Sequence, residues 1–166
     1  MPKIQKIAPF LWFDNQAEEA ADYYCGIFRN SKITRIARYG KAGFEFHHRP
    51  EGSVMTVAFD LDGQSFVALN GGPVFKFTEA ISFAVSCKNQ AELDHFWNKL
   101  SAGGDPKARQ CGWLKDKYGL SWQIVPAEMG ALAGDPDQVK ANRVMQAMLR
   151  MKKIDIAALK RAHEGR

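Results

Sequence analysis

The sequence predicts a mixed α+β fold built from two β-α-β-β-β modules and closed by C-terminal helices. Three observations carry this expectation. The run Asn15-Gln16-Ala17-Glu18 returns as Asn89-Gln90-Ala91-Glu92, each time ahead of apolar residues at helical spacing. The run Asp60-Leu61-Asp62-Gly63-Gln64-Ser65-Phe66 returns as Asp116-Lys117-Tyr118-Gly119-Leu120-Ser121-Trp122, with Asp, Gly and Ser identical and an aromatic closing both. Short apolar runs of strand length, bounded by turn residues, lie around both pairs. Self-similarity of this kind marks a supersecondary unit used twice.

The elements follow in order. An apolar strand over Ile4 to Phe13 opens the first module, and one over Ala80 to Cys87 opens the second. Asn15 with Glu18, and Asn89 with Glu92, have the spacing of capping boxes, in which side chains satisfy free N–H groups at a helix start. Ala17, Ala20, Ala21, Tyr24, Ile27 and Phe28 then share one helical face, as do Leu93, Phe96, Trp97 and Leu100. Gly103-Gly104 ends the second helix. Strands follow over Lys32–Tyr39, Val54–Asp60 and Gln64–Asn70 in the first module, and over Gln110–Lys115 and Leu120–Val125 in the second. The second module is short of one strand, unless Lys107 to Gln110 supplies it. The first is longer between the two matches, and Gly40 to Gly52 is the natural place for the insertion. Asp135-Pro136-Asp137 should start a helix with Pro at its first position, and Asp155 should cap a last helix carrying Ile156, Leu159 and Ala162.

Module one spans 3–72, module two 79–126 and a helical extension 127–166, within a single domain over 1–166. A length of 166 residues with 46% apolar side chains is enough for a core without disulfide or metal support. No stretch has the ~20 apolar residues of a membrane span, and Met1-Pro2-Lys3-Ile4-Gln5 lacks the blocks of a signal peptide. A cytoplasmic protein is expected. Cys25, Cys87 and Cys111 are odd in number and widely spaced, which speaks against a disulfide framework or a zinc site. The net charge of +5 suits an anionic ligand or plain solubility. With no zinc-finger or RNA-binding motif, neither nucleic acid nor membrane is expected as a partner.

Strand alternation sorts the candidate site residues. Ser82, Ala84 and Ser86 should share one side of their strand, and Ala8, Phe10 and Trp12 the equivalent side of theirs. This side is either the wall of a ligand pocket or an ordinary packed sheet face. Trp12, Trp113 and Trp122 are the options for stacking a planar ligand, with Trp122, opposite Gln123, better suited to the core. Cys111 and Trp113 should lie on one face of a strand, where Cys111 is either a nucleophile or a buried thiol. His47 and His48, near Glu45, are either a metal or proton-transfer site or a solvated loop. Asn70, in Leu69-Asn70-Gly71-Gly72-Pro73, could reach a pocket mouth. That Gly-rich run leads into an extended segment rather than a helix, so it lacks the form of a nucleotide or methyl-donor loop. Val144, Met148 and Met151 form an apolar face that either packs in the core or covers a pocket or dimer interface.

Three segments resemble one family. Pro9-Phe10-Leu11-Trp12-Phe13, Ala68-Leu69-Asn70-Gly71-Gly72-Pro73 and the run from Asp116 to Pro126 look like the PhnB-like, or demethylubiquinone methyltransferase-like, branch of the vicinal oxygen chelate superfamily, which includes glyoxalase, bleomycin-resistance proteins and dioxygenases. The likeness runs from Lys3 to Pro126. It implies paired modules forming a U-shaped, cupped mixed sheet, usually in a homodimer. It also implies metal-ligand positions in the superfamily's enzymes that fall here on Ala8, Val67, Ser82 and Gln123. Ala and Val have no donor atom, Ser is a poor ligand and neutral Gln a weak one. The expectation is therefore a small-molecule-binding protein without metal at the usual site and without a cofactor, with Phe10, Trp12, His47, Asn70, Ser82, Cys111, Trp113 and Gln123 as pocket candidates. The alternative is an isomerase, lyase or transferase acting on a small organic substrate.

Overall fold

The computed structural model describes residues 5–166. They fall into two compact units, Met1–Lys76 and Phe77–Arg166, divided in the segment between the two repeats.

The first unit contains β1 (Phe10–Phe13), α1 (Ala17–Ile27), β2 (Lys32–Arg38), a single-turn helix α2 (Phe44–His47), β3 (Val54–Leu61) and β4 (Gln64–Asn70). The sheet order is β1-β4-β3-β2, with β1 parallel to β4 and the other pairs antiparallel. Alternation puts Leu11, Phe13, Val57, Phe59, Leu61, Phe66 and Ala68 on the buried side. The buried stripe of α1, Ala17, Ala20, Ala21, Tyr24 and Ile27, meets them, and Tyr24 lies parallel to Phe59 with ring centroids 6.3 Å apart. Burying a ring of this size contributes about 2–3 kcal/mol. Asp62 and Gly63, at φ +47° and +81°, form the two-residue turn between β3 and β4. Positive φ at both central positions matches the twist of a hairpin and explains the Asp-Gly pair.

The start of the first strand is shorter than expected. It begins at Phe10, and Ile4 lies outside the described residues. The Asn15–Glu18 capping box does not form either. Gln16 occupies the cap position without a side-chain capping bond, and the Ala17 N–H is satisfied from the sheet by Asn70 Oδ1 at 2.8 Å.

The second unit contains β5 (Ser82–Cys87), α3 (Gln90–Ser101), a 3₁₀ turn (Pro106–Ala108), β6 (Trp113–Lys115), β7 (Ser121–Pro126), α4 (Met129–Ala133), α5 (Gln138–Leu149) and α6 (Ile156–Glu164). Its three-stranded sheet has the order β5-β7-β6, with β5 parallel and β6 antiparallel to β7. The strand missing from this copy is the counterpart of β2, and Lys107–Gln110 contributes only a 3₁₀ turn and one isolated bridge between Gln110 and Trp113. Here the cap forms. Asn89 accepts the Glu92 N–H at 2.9 Å, and the Glu92 carboxylate accepts the Lys88 N–H at 2.7 Å. Leu93, Trp97 and Leu100 of α3 are buried, as are Cys87, Leu114, Trp122 and Ile124 of the sheet.

The extension is fastened to this sheet by specific bonds. The Cys111 and Gly112 N–H groups donate to the Met151 and Lys152 carbonyls at 2.9 and 2.8 Å. The Gln90 side chain donates to the Ile154 carbonyl and accepts the Ile156 N–H. Val144, Ile154 and Leu159 are fully buried, while Met148 and Met151 are half-buried, so the Val–Met face belongs mainly to the interior. Pro136 is not the first residue of α5. Asp137 is its cap, accepting the Val139 N–H, and the helix begins at Gln138. Asp155 caps α6 as expected, accepting the Ala158 N–H at 2.9 Å.

Candidate functional site

The side of the second sheet turned away from α3 gathers three of the candidates. On β5, Phe83, Val85 and Cys87 point toward the helix, leaving Ser82, Ala84 and Ser86 on the other side, where Ala84 and Ser86 are exposed. On β7, Trp122 and Ile124 are buried against the helix, and Gln123 and Val125 alternate to the open side. Register then sets the neighbours: Ala84, Gln123 and Trp113 form one row across the sheet, and Ser82, Ser121 and Lys115 form the next. The two rows are joined by a side-chain bond, with Gln123 Nε2 donating to Ser82 Oγ at 2.9 Å.

Charge on this face is local. Lys115 Nζ lies 2.5 Å from the Glu79 carboxylate, and the lysine holds that carboxyl below its usual value, first by hydrogen bonding. Ser121 is only 1% exposed, and its hydroxyl has no hydrogen-bond partner among the described residues. Sequence reasoning passed over Ser121 and Lys115. The signal was available, because both follow from Gln123 and Trp113 by strand alternation.

The first unit uses its candidates differently. Phe10 and Trp12 share the open side of β1, and Phe10 is largely exposed. Trp12 is held: its indole N–H donates to the Gly72 carbonyl at 2.8 Å and its ring meets Phe75 edge-on at 4.9 Å. The ring passes so close to Gly71 that an added Cβ would lie 2.2 Å from it, which is why a residue without a side chain stands there. Asn70 faces the helix side and is 8% exposed. Its Oδ1 accepts the Ala17 N–H, its Nδ2 donates to the Val54 carbonyl, and its own carbonyl accepts the Tyr39 hydroxyl at 2.7 Å.

His47 lies in α2, not in a turn or strand. Its Nδ1 accepts the Arg49 N–H at 2.9 Å, which leaves Nε2 to donate to the Ala42 carbonyl at 3.2 Å, and its ring packs 4.5 Å from Tyr39. Both ring nitrogens thus bind local backbone. His48 is exposed at φ +51°. Cys111 corrects the strand expected over Gln110–Lys115. It sits at φ +52° in a two-residue turn with Gly112, and β6 starts only at Trp113. Cys111 and Trp113 therefore do not share a strand face. The turn forms because both of its N–H groups are taken by the C-terminal segment, as described above.

The residues at the superfamily's metal-ligand positions do not fit a divalent ion. Ala8 and Val67 offer hydrocarbon, and Ser82 and Gln123 are neutral and bonded to each other. Among the described residues, no group of three or more His, Cys, Asp or Glu side chains could hold a metal. The Gly71-Gly72 pair leads into a turn and extended chain rather than a helix, so it does not present the N–H groups of a nucleotide-type loop.

Two βα-initiated units, each with a parallel pair between its first and last strands, define a glyoxalase-like α+β protein. Comparison with known proteins identifies the family. The model of the 3-demethylubiquinone-9 3-methyltransferase family matches residues 5–125. The chain is 37% identical to a PhnB protein from Bacillus cereus whose name carries the same methyltransferase description; the match covers 73% of this chain and 99% of that one, with a TM-score of 0.61. A protein from Pseudomonas aeruginosa is similar in fold at 18% identity, covering 74% of this chain and 97% of the other with a TM-score of 0.56. No curated protein matches. The chain belongs to this family, in the PhnB-like branch of the glyoxalase/bleomycin-resistance superfamily. The family match ends at the close of β7, so α4–α6 lie beyond it.

Proposed function

We propose that this protein binds a small organic molecule on the open face of its second sheet, without a metal at the positions the superfamily's enzymes use. The observation that carries the reading is the Gln123–Ser82 bond. It joins the two donor-poor positions into one neutral polar pair beside the Trp113 indole, on a face that α3 leaves uncovered. A pocket of this composition orients a ligand by a few polar groups and holds it by apolar contact. The reading keeps both modules in one domain and the protein in the cytoplasm as a homodimer.

Native mass spectrometry with elemental analysis of the purified protein tests the reading. A retained organic molecule, weakened in the Gln123→Ala variant, is the expected result. A stoichiometric metal lost in that variant would overturn it.

A further inference from the structure

The arrangement on the second sheet also specifies the chemistry of the ligand, and this step rests on the binding reading above. We infer that the face recognises a flat, uncharged molecule carrying a hydrogen-bond donor next to an acceptor on one edge. The argument begins with the side-chain inventory. A primary amide has two donors and one acceptor oxygen, and a hydroxyl has one donor and two lone pairs. With Gln123 Nε2 donating to Ser82 Oγ, the Ser82 O–H and Gln123 Oε1 have no partner among the described residues. Turning the amide over reverses the internal bond. It then leaves the Gln123 NH₂ as donor and the Ser82 lone pairs as acceptor. Either way two donor hydrogens and an acceptor oxygen remain, so the pair presents a donor and an acceptor side by side. Its complement is an edge with an acceptor and a donor in the same spacing, as in a lactam.

Two further observations restrict the class. Trp113 pairs with Gln123 in the β6–β7 register, so its indole stands on the same side, within the ~5 Å of a cross-strand pair. That ring offers a plane for a planar ligand to stack on or abut. Lys115 is the charged side chain in these two rows, and Glu79 already neutralises it at 2.5 Å. A ligand carboxylate would have to break that pair, and these two rows offer a ligand cation no free anion. Desolvating either without a counter-charge is costly.

The test is an ¹⁵N NMR titration of the full chain with three probes: 2-quinolone, quinoline and quinoline-2-carboxylate. The lactam 2-quinolone should move the Gln123 side-chain amide and the Trp113 indole N–H signals. Its affinity should fall about tenfold in Ser82→Ala and about tenfold in Gln123→Leu, as expected for loss of one hydrogen bond in each. A dispersed spectrum for each variant establishes that it folds. If quinoline-2-carboxylate or quinoline moves the same signals with equal or greater affinity, the ligand class is wrong while the binding face stands. If no probe moves either signal, the face itself is not a small-molecule site and both readings fall.

Discussion

Asn70, at the end of β4, caps the first helix from across the sheet: its side-chain oxygen accepts the N–H of Ala17 at 2.8 Å, a residue far from it in sequence. The same amide donates to the Val54 carbonyl at 3.1 Å. One side chain therefore ties α1, β3 and β4 together, in a buried setting where unmet hydrogen-bonding groups are costly. Asn70→Ala leaves a helix N–H and a strand carbonyl without partners, and the expected loss is about 2–3 kcal/mol. Urea denaturation followed by far-UV circular dichroism checks it. A loss below ~0.5 kcal/mol would mean that water replaces the amide at no cost.

Trp12 and Gly71 are a second coupled pair. A Cβ on Gly71 would sit 2.2 Å from Cζ2 of the indole, inside any real contact distance. Gly71→Ala should therefore cost about 2–3 kcal/mol by forcing the ring away and breaking its bond to the Gly72 carbonyl. Trp12→Phe removes the part of the ring that collides. In the double variant the two effects should fall short of their sum by ~1 kcal/mol or more. Strict additivity in a double-mutant cycle would show that the clash is relieved elsewhere.

Asp116 is buried and accepts from the Tyr118 and Leu120 N–H groups on Oδ1 and from the Trp122 indole N–H on Oδ2 at 2.9 Å. The Asp-to-Pro motif is thus a turn built around an acceptor-only side chain. Asp116→Asn keeps the size but replaces one acceptor with an NH₂. Whichever way the amide turns, a donor faces a donor, and the expected cost is about 2–4 kcal/mol. The intrinsic fluorescence of Trp122 should change with it. Unaltered thermal stability in the Asn variant would sink this account of the motif.

The repeat made much of this legible in advance. Strand alternation placed Trp122 in the core and Gln123 on the open side, and the register then put Ser82 beside it. Three features escaped for physical reasons. The Asn15–Glu18 box competed with Asn70, a cap supplied by tertiary structure, which local spacing cannot reveal. The turn at Cys111 is invisible to strand patterning because nothing nearby announces that its N–H belongs to Met151, far along the chain. His47 sits in a helix of a single turn, too short for periodicity to show. The open face of β5–β7 could be drawn from sequence; the bond between Gln123 and Ser82 across it needed the register.

Cys87 should be inert in the folded protein. Its thiol is buried, and that burial, with a smaller contribution from Glu92, pushes its pKa up to about 12. Thiolate is the reactive form, so almost none exists at neutral pH. Labelling with a disulfide reagent at pH 7.5 should leave Cys87 unmodified in native protein and modify it promptly in denaturant. Mass spectrometry of the digested protein reads the site directly. Rapid native modification of Cys87 would mean that β5 opens locally.

Asp135 fastens the last two long helices. Its Oδ2 lies 2.7 Å from His163 Nε2 on α6, and its Oδ1 accepts the Asp137 N–H at the head of α5. These contacts, the Asp137 N–H first and His163 second, with Lys140 nearby, hold its carboxyl below the ordinary value of 3.8. A carboxylate with a lowered folded-state pKa contributes stability that is present above the unfolded value and is lost as the pH falls through the folded one. The contribution should thus be whole at pH 6, begin to fall near about pH 4 and be gone only once the pH is below the lowered folded-state value. Melting temperatures measured from pH 6 down to pH 2.5 should fall more steeply in the parent protein than in Asp135→Asn. The two curves should converge at the acid end, where the parent's carboxyl is also neutral. Arg143, which donates to the Ala162 and His163 carbonyls, keeps α6 in place, so the acid effect should be a graded loss rather than release of the helix. Parallel curves across the whole range would show that the Asp135 carboxylate contributes nothing to holding α5 and α6.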